Sequence, residues 1–437
     1  MYYYDDLTRN IQSPPMPVHQ QNITGYVHKK FTKANEICGI IFLIIRKNKG
    51  KGVCLMAITK KRDNSDSRIA SLKLQDKEYN EIYRKWRIEH KKDYGFYFLD
   101  NSDELTYRDG EGFITESPQA AERSVIVEIH SLLAKFLCIY TVLNLLIWVI
   151  KTVAPLGEVP FFYHIMRLIS ANEYTAVLSD YLVKILTRIL PVFYLLKKIK
   201  MPRKLLMPMK IYNKPLFGIA APMAMLTFGI ATILSNIQHT FVSIIGIDPN
   251  YSVWIPQSKL CFVLSALLSA VIIPIISEII HHGIVLQILK QFGDGYALVL
   301  TSIIAAATSG NYHSFLFIFT TMLIIGFFVV RTGSLATGFI MRILISSTVY
   351  FLTVIRCSQP PDGMYMTITV MLMLIYTTVG FIAVATFIKK HSNKISLPLY
   401  KMYLDTHERI MCCLTNASVL MWISLTLTLM ILETKWL

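Results

Sequence analysis

The sequence predicts an all-α polytopic membrane protein of about nine transmembrane helices, preceded by a small α+β amino-terminal region on the cytosolic side. Three observations predict it. Hydrophobic residues make up 53% of the 437 and charged residues only 16%, and the mean hydropathy is +0.46, a balance that water does not keep in solution. The charges are also segregated. Before Arg123 the chain is dense in Lys, Arg, Asp and Glu, and after it come apolar runs long enough to cross about 30 Å of hydrocarbon. The net charge of +16 collects in short segments between those runs. That is the pattern of cytosolic loops, and it argues for membrane topology and against a nucleic-acid partner.

Residues 1–124 form the cytosolic region. Met1 to Asn10 carries Asp5 and Asp6 and no apolar core of signal-peptide length, so the amino terminus is expected to stay in the cytosol. Ser13 to Pro17, with three prolines, reads as a stiff tether. Cys38 to Ile45 and Val53 to Thr59 are rich in β-branched residues, and Asn48 to Gly52 between them suits a hairpin turn. A third strand is expected from Gly95 to Leu99. Between these, Asp76 to His90 places Tyr79, Ile82, Tyr83 and Trp86 at helical spacing in a charged segment, which predicts an amphipathic helix.

Spans follow at about 129–150, 176–196, 215–236, 259–288, 296–312, 314–330, 334–356, 364–388 and 411–432. They group into amino-terminal membrane helices (125–258), a central core (259–356) and carboxyl-terminal helices (357–437). If every span crosses, Lys197 to Lys214 and Lys389 to Lys394 fall on the same side as the amino terminus. The fifth and sixth spans meet at Gly310 to Ser314 with almost no loop, which suits a tight hairpin or a re-entrant segment. In the second span Asp180, Lys184 and Arg188 recur every four residues and form a ladder on one face. The seven cysteines show no paired metal spacing, and most lie in apolar segments.

Ionisable groups inside a span are costly and direct attention to a cavity or a partner. In Pro274 to Gly283, Glu278 is followed at i+3 and i+4 by His281 and His282, which a helix brings to one face. Such a stripe can share a proton. It can also bind a metal, although the His-Glu-x-x-His zinc pattern is broken by Ser277 and a bundle site would need ligands from another helix. No cofactor is expected, and metal stays open as an alternative. His313 closes the polar run from Ser309. Arg342 lies in an otherwise apolar span and is expected to pair with Glu278, lowering the cost of burying both.

The order Pro-x-x-x-Glu-x-x-x-x-Gly over Pro274 to Gly283, then Gln287 and Leu289, then Arg331-Thr332-Gly333-Ser334-Leu335, resembles the CPBP family of intramembrane peptidases. That family includes type II CAAX prenyl endopeptidases and bacteriocin-processing or self-immunity proteins. The resemblance covers about 259–356 and implies a CPBP-peptidase-like helical core in a bacterial plasma membrane. The family pattern has a Glu-Glu pair with Arg after three residues, a second motif ending in His, and a third with His four residues before Asn. In it a Glu activates water, and the His and Asn groups orient that water and stabilise the oxyanion. Laid on this chain, the first Glu is Ser277, the second is Glu278 and the Arg is His282. The second-motif His falls near Ser309 or Gly310, one turn before His313, and the third His and its Asn are Arg342 and Ser346.

The substitutions matter chemically. Ser277 is no carboxylate base, and Arg342 does not shuttle protons. The sequence therefore points to a catalytically degenerate homologue that binds hydrophobic or lipidated peptides, or scaffolds membrane proteins. The alternative is an active endopeptidase rebuilt from Glu278 as base, His313 as water or oxyanion ligand, and His281 or His282 for proton transfer. A small-solute transporter ranks last, because no internal repeat is visible.

Overall fold

Apolar runs in a bilayer must satisfy their own backbone polar groups, so they fold as helices. The computed structural model describes residues 77–89, 106–108, 112–114, 118–153, 161, 164, 167, 169, 171–246, 255–358, 363–391 and 404–433. All of them lie in one compact unit, Asn64–Leu437. Its main helices are α1 (Lys77–Glu89), α2 (Pro118–Val153), α3 (Glu173–Ile199), α4 (Ala220–Ile244), α5 (Lys259–Phe292) and α6 (Asp294–Ala307). After these come α7 (Phe315–Thr332), α8 (Leu335–Cys357), α9 (Met364–His391), α10 (Thr406–Leu414) and α11 (Ala417–Leu432).

The structure is the expected all-α membrane fold, with a correction to the number of crossings. Among the described residues six helices are long and apolar enough to cross: α2, α4, α5, α7, α8 and α9. A seventh crossing results if α10 and α11, bent by 71° at their junction, make one broken span. The expected second and fifth spans differ. The helix α3 has 27 residues but carries Asp180, Lys184 and Arg188 at its middle, so it is not an apolar rod. Asp180 there bridges Lys184 at 2.6 Å and Lys151 of α2 at 3.0 Å, while Arg188 Nη1 donates to the Lys184 carbonyl. The helix α6 has 14 residues, about 21 Å at the usual rise, too short for the hydrocarbon layer.

The helix α4 sits at the centre, against α7, α8 and α9, while α2 joins α3 to α11. The most buried stretch of the bundle is the end of α5, where Val285, Leu286, Ile288, Leu289 and Phe292 have no exposed surface. The corner between α7 and α8 explains the Arg331 to Leu335 motif in structural terms. The chain turns at Gly333 with φ 72°, Ser334 Oγ accepts from Ala336 N and donates to the Met209 carbonyl, and Thr332 and Thr337 hydroxyls meet at 2.8 Å.

A helix stands at Lys77–Glu89, where the spacing of aromatic residues places one. It is docked on the membrane bundle. Tyr79 Oη donates to Gln287 Oε1 at 2.6 Å, Tyr83 Oη to the Gln287 carbonyl at 3.0 Å, and Trp86 Nε1 to the Ile199 carbonyl at 2.9 Å. Burial holds the Tyr79 hydroxyl well above the ordinary phenol range, which keeps it a donor. Trp86→Phe should therefore cost about 1 kcal/mol, one hydrogen bond, read as a lower Tm in detergent. Glu78→Ala, which breaks the exposed Lys204 pair, should move Tm by less than Trp86→Phe does. A short antiparallel pair, β1 (Thr106–Arg108) with β2 (Gly112–Ile114), was not foreseen. The expected hairpin at 38–59 and the strand at 95–99 lie outside the described residues.

Candidate functional site

The helix α5 is not uniform. Two π-helical stretches, Leu268–Ile272 and Ile279–Val285, flank the α-helical Ile273–Glu278. Pro274 lacks the N–H that a regular turn would use, and the first wide stretch ends just before it. Wide turns of this kind are common at functional positions. The second one carries His281 and His282.

The structure separates the two imidazoles. His282 Nδ1 meets Glu278 Oε1, and its Nε2 lies 3.1 Å from the Met322 carbonyl. A carbonyl only accepts, so Nε2 carries a hydrogen, and one further proton is shared between Nδ1 and the carboxyl group. The pair is sealed, with side-chain exposures of 0% for Glu278 and 1% for His282. Glycines on two neighbouring helices make room for it. A Cβ at Gly326 of α7 would stand 2.8 Å from His282 Nε2, and one at Gly338 of α8 would overlap Glu278 Oε1 and stand 2.9 Å from Val329 Cγ2.

His281 belongs to a different environment. Its Nδ1 donates to the Ser277 carbonyl at 2.8 Å, with Ser277 Oγ at 3.2 Å. Its Nε2 faces Thr308 Oγ1 at 3.3 Å. Beside it is a cavity of about 20 Å³ lined also by Tyr140 and Arg188, room for about one water molecule.

The expected ion pair between Arg342 and Glu278 is corrected. The carboxylate closes on His282, and Arg342 Nη1 instead points to Thr321 Oγ1 at 3.4 Å. Geometry decides this: His282 lies one turn along the same helix, whereas Arg342 projects from α8, where Gly338 already presses on Glu278. Arg342 is left within electrostatic reach of both Glu278 and Arg188. Ser346 follows it one turn along α8, half-buried.

His313 does not join Glu278 either. It stands at the head of α7, its ring tilted by 38° against Tyr312 at 3.8 Å and edge-on to His239 at 5.7 Å. His239 Nε2 donates to the His313 carbonyl at 3.0 Å. Both histidines line a cavity of about 630 Å³ with Ser309, Asn311, Asp180 and Lys184. Sequence reasoning missed His239, Lys151 and Glu433 in this cavity. The available signal was the polar trio Asn236, Gln238 and His239 closing an apolar run. Among the described residues no three His, Cys, Asp or Glu side chains come together as a metal-ligand set.

Comparison with known proteins adds one match. Residues 259–348, from the start of α5 into α8, match the family model of type II CAAX prenyl endopeptidase Rce1-like proteins. No curated protein and no solved structure matches the chain.

Proposed function

We propose that this chain, whose membrane core is a Rce1-like CAAX prenyl endopeptidase domain of the CPBP family, is a peptidase homologue that captures hydrophobic or lipidated peptide without cutting it. The observation that carries this reading is the state of Glu278. It is the one carboxylate left at the first motif, it is fully buried, and its proton-sharing oxygen is committed to His282. A general base must reach the water it activates, and His313, the group expected to hold that water, faces another cavity. Glu278 and His282 occupy the motif positions of the second Glu and the Arg, which favours an ion pair that holds α5 against α7 and α8. The polar cavity beside Ser309 and His313 supplies amide, ammonium and imidazole groups for a peptide backbone. In this reading the host is a bacterium, the amino terminus lies in the cytosol, and bacteriocin immunity is a setting that capture without cleavage serves.

The test is a membrane-peptide library presented to purified, folded protein, with products read by mass spectrometry and retained peptides by capture. Retained but intact peptides are expected. Products that vanish in both Glu278→Ala and His313→Ala, with Tm preserved, would establish the rebuilt active site instead.

A second reading rests on His281. With Nδ1–H oriented by the Ser277 carbonyl, its Nε2 lone pair faces Thr308 Oγ1, and both residues line the one-water cavity, an arrangement that suits a general base. It requires that cleavage be lost in His281→Ala and kept in His313→Ala.

A further inference from the structure

Helices that cross a bilayer place their charges at its two hydrocarbon boundaries, and three elements of this bundle mark those boundaries at one spacing. On α2 no charged residue lies between Lys135 and Lys151, about 24 Å apart along the axis. On the antiparallel α3, Asp180 is bridged to Lys151, and Lys198 lies about 27 Å along the helix from it. The helix α11 has 16 residues, about 24 Å, and Glu433 at its end shares a cavity with Lys151 and Asp180. That length is close to the thickness of a hydrocarbon layer. Lys135, Lys198 and the α10–α11 break therefore fall together at one boundary.

All three line one groove of about 1110 Å³. The break is fixed there by Asn416, whose Nδ2 donates to the Val127 carbonyl and whose Oδ1 accepts from Ser418 N. From the level of Lys135 the groove runs outward along one face of α2 to Arg123. Arg123, Lys135 and Lys198 are exposed, and among the described residues they make no ion pair. Glu128, the one carboxylate among the described lining residues, stands about 10 Å further out along α2 than Lys135, and it is itself engaged. The inner end of the groove thus presents two accessible ammonium groups at the hydrocarbon edge, where anionic head groups lie. Beneath them the surface turns apolar. Ile139, Val142 and Leu146 continue the Lys135 face of α2, Leu190 lies one turn below Tyr194 on α3, and all four are exposed.

We propose that this groove binds one anionic glycerophospholipid, with its phosphate between Lys135 and Lys198, its head directed outward toward Arg123 and its acyl chains on the apolar faces beneath. The exposed apolar surface directly below the cations favours a lipid over a soluble anion. The site lies at the opposite end of α2 and α3 from the His313 cavity, and it is independent of the peptide capture proposed there.

The test uses the delipidated full chain in mild detergent, with dioleoyl phosphatidylglycerol and dioleoyl phosphatidylcholine as probes and bound lipid counted by native mass spectrometry. Saturation at one phosphatidylglycerol per chain is expected, with phosphatidylcholine about ten- to thirtyfold weaker. Lys135→Gln with Lys198→Gln should bring phosphatidylglycerol down to the phosphatidylcholine level. The control is Lys197→Gln with Lys200→Gln, which removes two exposed charges from the same end of α3 that do not line the groove, and binding should stay within about twofold. An equal loss in both double variants would trace the preference to the general positive field of this face and overturn the proposal. Equal affinity for the two lipids would overturn it as ordinary annular contact. Displacement of the lipid by an equal concentration of glycerol 3-phosphate, or of a poly-glutamate peptide, would make the groove a site for soluble anions and overturn it as well. If the Lys135 and Lys198 double variant does not fold, each single change decides, with a loss of about fivefold expected and an unaltered lipid preference counting against the site.

Discussion

His282→Ala is expected to destabilise the detergent-solubilised protein by about 3–5 kcal/mol, because it strands a buried carboxyl group in a site that admits no water. Glu278 has no exposed surface, and its second oxygen, Oε2, already lacks a partner among the described residues. The measurement is Tm across a double-mutant cycle. Glu278→Ala with His282→Ala should be far from additive, since removing either partner alone leaves the other unmatched. Replacing both should cost less than the sum of the single changes. Glu278→Ala with Arg342→Gln should show a smaller coupling than the His282 pair, since Arg342 meets Glu278 through its charge and not through a hydrogen bond. Strong coupling to Arg342 and none to His282 would restore the ion pair that the sequence alone suggested and sink the assignment made from the structure.

Gly338→Ala should be a damaging single-methyl change at the Glu278 site. The added carbon would overlap Glu278 Oε1 and crowd Val329 Cγ2 at 2.9 Å, with the carboxyl carbon of Glu278 at 3.0 Å. Glu278 is held on its other side by His282, so it has nowhere to retreat. Overpacking of this kind costs about 1–3 kcal/mol, and displacement of the ion pair adds to it. The control is Gly218→Ala, where nothing lies within 4 Å, and Tm should stay where it is. In a Glu278→Ala background the cost at 338 should shrink without vanishing, since Val329 remains. An equal cost in both backgrounds would show that the glycine serves helix contact alone and not the carboxyl group.

These two results would also bear on how the family pattern has been reused. Where the pattern has Glu followed by Arg four residues on, this chain keeps the carboxylate and replaces the guanidinium by an imidazole. Histidine is shorter, and the close approach of α7 and α8 at Gly326 and Gly338 fits that shorter partner. Glu278 and His282 thus pair in the core, and Ser277, Arg342 and Ser346 are where the resemblance would lay the water-activating groups.

Much was legible in the amino-acid sequence because it depends on neighbours along the chain. Hydropathy over windows of about 20 residues fixes the solvent as a bilayer, and the aromatic spacing of Tyr79, Tyr83 and Trp86 places a helix at 77–89. The order of residues from Pro274 to Leu335 carries the resemblance to the family whose model matches residues 259–348. Only the tertiary structure decided the partner of Glu278, because His282 and Arg342 are both chemically suitable and the choice turns on how α5 and α8 are rotated against each other. It likewise separated His281 and His313 from that carboxylate, and revealed His239 beside His313 through the contact of α4 with the head of α7. The span count followed the same division. Windowed hydropathy registers apolar length, but it does not register the 71° bend between α10 and α11, the early end of α6, or the salt bridge that holds the charged middle of α3 to α2. Local spacing sets which helices form and which residues share a face, while packing between helices sets which of those faces meet.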